Sequence, residues 1–137
     1  MIDAQTGWYA VPATIKAVVL SPDDRVLLAR NQRNEWELPG GWPTHEDQST
    51  REVIRRELAE EASIEVDVGQ LLHVELSNIG GHQVVIVAYR CTCRHPERVT
   101  PSDEHGELLW ATQDMLSELD LFGPYDTAIR LAFAERL

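Results

Sequence analysis

Cationic side chains are scarce in this chain of 137 residues: 12 Lys and Arg stand against 23 Asp and Glu, a net charge of −11. That balance argues against non-specific binding to polymeric nucleic acid or to an acidic membrane surface, since both need a basic face. Long apolar runs are missing too, so no membrane-spanning helix is expected. The opening residues M-I-D-A-Q-T-G-W-Y have neither a basic start nor an apolar core, so no secretory signal is expected and the cytoplasm is the default location. Cysteine is confined to Cys91 and Cys93. They alternate along an expected strand and point to one face, which does not favour a disulfide between them. They read as small buried thiols, with a weak metal cluster including His95 as the alternative. Linkers, internal repeats and low-complexity tracts are absent, so residues 1–137 read as one domain.

What the chain does have is one informative stretch, from Leu38 to Ile64. It opens with Pro39-Gly40-Gly41 and continues into an expected helix over residues 49–62. Ser49 or Thr50 can cap that helix, and Ser49 followed by Glu52 fits a capping box. Ile54, Leu58 and Ala62, widened by Val53, form an apolar stripe for burial. Glu57, Glu60 and Glu61 recur at i, i+3, i+4 and share another face. Three carboxylates there repel one another and lie near the helix C-terminus, where anions are disfavoured. The arrangement wants a cation, from basic neighbours or from a hard divalent ion; oxygen-only ligands favour magnesium or manganese over zinc. A solvated acidic face is the plain alternative. The glycines before the helix favour a site, because they let backbone groups approach a phosphate or carboxylate closely.

The same stretch resembles the Nudix box, the signature of the Nudix (MutT-like) hydrolases. The resemblance rests on Arg56-Glu57-Leu58-Ala59-Glu60-Glu61-Ala62-Ser63-Ile64, on Gly41 as the opening glycine, and on W-E-L-P-G-G running into the box. It implies that Glu57, Glu60 and Glu61 bind Mg²⁺ or Mn²⁺, with a backbone carbonyl from the Gly40-Gly41 loop as a further ligand at Gly41. It also implies that Arg56 orients the helix and that Glu57 positions or activates a water. A further carboxylate, Glu104 or Glu107, is expected to complete the site. Three departures stand out. Gly41 and Arg56 are one residue further apart than the pattern. The pattern's first Glu, which supports the arginine, falls on Gln48, with Glu46 or Asp47 as substitutes if the loop is rebuilt. Ser63 stands where a helix-ending Gly is usual.

Around this stretch the expected strands are 14–20, 26–29, 66–76 as one or two strands around Gly69, 84–89 continuing toward Cys93, and 108–110; the resemblance implies a further strand entering the box from Trp36-Glu37-Leu38. Leu72, Val74 and Leu76 suggest one buried face. Helices are expected over 112–119 and, after Pro124, over 125–137. Strands, a long helix, more strands and then helices give an α/β (α+β) fold: a mixed sheet between helices, a Nudix-like α/β/α sandwich. Arg30 and Arg33 are candidates for substrate phosphates. Trp36 and Trp42 flank the Gly-Gly turn as candidates for ring stacking. Specificity is expected around Trp8, Trp36, His82 and Tyr125. The expected activity is metal-dependent hydrolysis of a phosphoanhydride in a nucleoside diphosphate linked to another moiety. The partner is then a small nucleotide or nucleoside diphosphate derivative, and a homodimer is plausible. The alternative is a weak or inactive nucleotide-binding module of the same fold.

Overall fold

The computed structural model describes residues 2–101 and 107–134. One mixed sheet organises them, in the order β3 (Trp36–Glu37), β2 (Val26–Arg30), β1 (Ala13–Leu20), β6 (His82–Thr92), β5 (Asp67–Ile79). The short β4 (Gly40–Gly41) pairs with β1, and β7 (Leu108–Ala111) pairs with β2. β1 runs parallel to β6; the other pairings are antiparallel. β1 alternates its side chains between two cores. Ile15, Ala17 and Val19 face α1 (Thr50–Ala62), while Val18 and Leu20 face α3 (Gly123–Ala134) and the short α2 (Gln113–Leu116). Helices therefore cover both faces of a mixed sheet, as expected.

α1 forms where capping and periodicity place it. The Ser49 hydroxyl accepts from the Glu52 amide at 3.2 Å. The other half of the box is displaced by one residue, since Glu52 Oε2 accepts from the Gln48 amide at 2.6 Å. Val53, Ile54, Leu58 and Ala62 are fully buried, each of the larger ones contributing about 1.5–3 kcal/mol by leaving water. Ser63 ends the helix at φ 59°, in the left-handed conformation that glycine adopts at least cost.

β5 departs from its expected pattern. Its register against β6 shifts between Val68 and Leu71 and again between Leu71 and His73. Each shift breaks the two-residue alternation. Leu72 packs on the α3-side core, whereas Val74 and Leu76 are 53% and 58% exposed, so the three do not form one buried face. The expected helix 112–119 is shorter, although Thr112 caps it. The last helix starts at Gly123, with Pro124 in its first turn. Cys91 and Cys93 are free and buried, and burial pushes the Cys91 thiol up to about 12. No helix among the described residues is long and apolar enough to cross a membrane.

Candidate active site

Arg56 is the hub of the site. Its Nε and Nη2 donate to Asp47 Oδ1 and Oδ2 at 3.1 and 2.9 Å. Nη2 also reaches the Trp42 carbonyl oxygen at 3.0 Å, and Nη1 donates to Glu57 Oε1 at 3.0 Å and Glu60 Oε2 at 3.3 Å. One guanidinium thus ties the loop before α1 to two carboxylates of the helix, with the planar fork geometry that suits carboxylates. Asp47 is itself held by the amide and hydroxyl of Thr44, at 2.8 and 3.1 Å. Arg56 and these donors bring the Asp47 carboxyl down to about 2, and the surrounding carboxylates raise the guanidinium.

The two glycines of β4 serve different contacts. A Cβ on Gly41 would stand 2.5 Å from Glu57 Oε1, so the missing side chain is what lets Glu57 lie against the loop. Gly40 has φ 137°, and a Cβ there would overlap the Ile15 carbonyl oxygen. Its amide donates to Glu61 Oε2 at 3.1 Å, and Glu61 is 8% exposed. Burial pushes the Glu61 carboxyl up to about 7; the Gly40 amide and Lys16 oppose this, and Glu57 and Glu37 add to it.

Against β3 lies a cavity of about 520 Å³, lined among others by Arg33, Trp36, Glu37, Asn78, His82 and Tyr125. Glu37 lines it, and its charge acts on both Tyr125 and, more weakly, Glu61.

A family model of the NUDIX domain matches residues 11–131. The chain belongs to the Nudix family. That membership carries a general class of activity, hydrolysis of a nucleoside diphosphate linked to another moiety. Among curated relatives, the CTP pyrophosphohydrolase of Escherichia coli (strain K12) is 27% identical over 124 residues, 87% of this chain and 89% of its own. A MutT-like protein of Streptomyces ambofaciens is 33% identical over 106 residues, 77% of this chain and 66% of its own. In fold, the NUDIX domain of Shewanella oneidensis NrtR, solved with ADP-ribose, superposes with a TM-score of 0.77 at 18% identity, over 98% of this chain and 94% of that one.

Within the Nudix box, Gln48 does not take the place of the arginine-supporting Glu. Its side chain donates to the Glu46 carbonyl oxygen at 3.4 Å, while Asp47 holds Arg56. The longer loop makes this possible through a turn closed by the Asp47 amide on the Thr44 carbonyl oxygen, 3.2 Å. Ser63 adopts the left-handed geometry expected of the absent glycine, and its amide donates to the Ala59 carbonyl oxygen.

The other candidates divide. Glu57, Glu60, Glu61, Arg56, Gly40 and Gly41 come together. Glu107 is paired with Arg30, at 3.2 and 3.3 Å. Glu104 lies outside the described residues. Arg30 also stacks 5.0 Å over the Trp36 ring, and Arg33 pairs with Glu35 at 2.7 Å, so both expected phosphate contacts carry carboxylate partners. Trp36, His82 and Tyr125 share the cavity; Trp8 does not line it and is 74% exposed, as Trp42 is 53% exposed. Sequence reasoning passed over Lys16 and Glu37. Lys16 stands at an inward position of a strand that is otherwise apolar from Ala17 to Leu20, a signal that was there to use.

Proposed function

We propose that the chain is a divalent-metal-dependent pyrophosphohydrolase acting on a nucleoside diphosphate linked to a further group, such as a nucleoside triphosphate or ADP-ribose. The observation that carries this reading is the convergence of Glu57 and Glu60 on one Arg56 nitrogen, together with a Gly-Gly loop that holds Glu61 and a ring-lined cavity against β3. The all-oxygen donor set suits Mg²⁺ or Mn²⁺. Among the described residues no group of three or more His, Cys, Asp or Glu is already spaced to hold an ion. The Glu60 side chain is 59% exposed and touches Arg56 at its longest contact, 3.3 Å, so the fit is one of donor chemistry completed by side-chain rotation about that contact.

Glu57, Glu60 and Glu61, with a Gly41 carbonyl, are the residues to hold the metal. A bound divalent ion neutralises diphosphate charge and lowers the pKa of water. Asp47 keeps Arg56 in place, and Arg56 keeps Glu57 and Glu60 aimed. Glu57, pressed on Gly41, is the carboxylate to accept a proton from the attacking water. Trp36 and Tyr125 offer faces for a base or ring. The names of the relatives, a CTP pyrophosphohydrolase and an ADP-ribose-bound domain, support nucleotide substrates and suggest which to try first.

The test is hydrolysis of CTP, other nucleoside triphosphates, ADP-ribose, dinucleoside polyphosphates, NADH and sugar nucleotides, with and without Mg²⁺ or Mn²⁺. Metal-dependent release of a nucleotide product supports the reading. A folded protein that binds these compounds and cleaves none supports the second reading, a nucleotide-binding module of the same fold.

A further inference from the structure

A polyphosphate substrate must find positive charge on a chain of net charge −11. Arg30, Arg33 and Arg56 are each paired with carboxylates. Lys16 is not. Its residue is 6% exposed, yet among the described residues its ammonium makes no hydrogen bond and no ion pair. Nor is it one of the sealed polar atoms, which are Arg30 Nε and Arg90 Nε. The stem is therefore buried while the ammonium keeps an opening. Holding an ammonium largely out of water without a counter-ion is costly. The Tyr125 ring, 5.6 Å from Nζ, offsets a part of that cost, and the Glu61 carboxylate acts only from a distance.

The position is specific. Lys16 is the register partner of Gly40, whose amide holds Glu61. Its ammonium faces Tyr125, which lines the Trp36 cavity. Lys16 thus lies between Tyr125, a wall residue of the cavity, and the Gly40 backbone that holds Glu61. A ligand with its ring in the cavity and its P–O–P linkage at the carboxylates lays its phosphates across this junction. A compact ammonium with three rotatable donors suits phosphate oxygens that shift as the anhydride breaks.

We propose that Lys16 is a substrate-contacting residue that binds the diphosphate of a nucleoside diphosphate derivative between the cavity and the α1 carboxylates. This rests on the functional reading above. The competing role is a counter-ion for Glu61 alone, which would alter stability and metal affinity without distinguishing phosphorylated from uncharged ligands.

Lys16→Met keeps the stem and removes the charge; Lys16→Gln serves should the first variant fail to fold, and Lys16→Arg restores charge. For the best substrate of the panel, KM and kcat are measured in saturating Mg²⁺, together with inhibition by inorganic pyrophosphate and by the parent nucleoside. The expected result is a rise in KM and in the pyrophosphate inhibition constant of about 10–100-fold, unchanged nucleoside inhibition, and substantial recovery in Lys16→Arg. Unchanged KM and pyrophosphate inhibition in a folded Lys16→Met protein would overturn the assignment, as would an equal loss for the uncharged nucleoside. Wild-type protein that neither binds nor cleaves any compound of the panel would remove the functional reading itself, and Lys16's role with it.

Discussion

Replacing Glu61 by Gln gives a stability effect whose sign depends on pH. In the metal-free fold the Glu61 carboxyl is pushed to about 7 from an ordinary 4.5, chiefly by burial. Below pH 4.5 both folded and unfolded chains hold the proton, and the stabilising contribution of the neutral acid is fully present. Between 4.5 and about 7 the unfolded chain releases its proton while the folded chain keeps it, so stability falls as pH rises; above about 7 the loss is complete. At about 1.4 kcal/mol for each pH unit separating the two values, the loss is on the order of 3 kcal/mol. Glutamine has no proton to release and lacks this component. Urea unfolding in EDTA between pH 5 and pH 8 should show wild type losing roughly 2.5 kcal/mol relative to Glu61→Gln. Mg²⁺ at pH 8 should recover stability in wild type and much less in the variant, because metal binding favours the deprotonated carboxylate. Parallel pH curves for the two proteins would refute the reasoning.

Asp47→Asn removes the charged partner of Arg56, and should lower the melting temperature and cut turnover by about tenfold or more, with Gln48→Ala nearly silent. The Asp47 pairing is present above the ordinary value of 3.8 and is lost as pH falls through about 2, so the melting difference between wild type and Asp47→Asn should shrink in acid. Gly41→Ala pushes against the carboxylate end of the Glu57 side chain and should leave a folded protein with turnover reduced by about 10²-fold. Gly40→Ala meets the Ile15 and Lys16 backbone instead and should show its effect as lost thermal stability. Ser63→Gly relieves a left-handed serine and should raise stability by about 1 kcal/mol in urea unfolding.

The carboxylate helix was legible because its signals agree: a Ser49 cap, an apolar stripe and a carboxylate face, all set by one local period. The β1–β2 hairpin and the apolar run of β6 were legible for the same reason. Where tertiary pairing decides, local pattern failed. The two register shifts in β5 depend on β6, and they expose Val74 and Leu76 against their alternation. Counting along the Nudix pattern led to Gln48, yet one extra loop residue brings the neighbouring Asp47 to Arg56. Arg30 and Arg33 looked available because their carboxylate partners, Glu107 and Glu35, are fixed by strand pairing and a turn. Lys16 looked like an ordinary strand residue, since nothing local shows that its neighbours are Tyr125, 109 positions on, and the Gly40 loop.

The most direct test of the central claim is product analysis of the best substrate incubated with wild type and with Glu57→Gln, in Mg²⁺ and in EDTA. The account predicts cleavage at a phosphoanhydride that needs the metal and falls by orders of magnitude in a folded Glu57→Gln protein. Undiminished cleavage in that variant, or in EDTA, would contradict it.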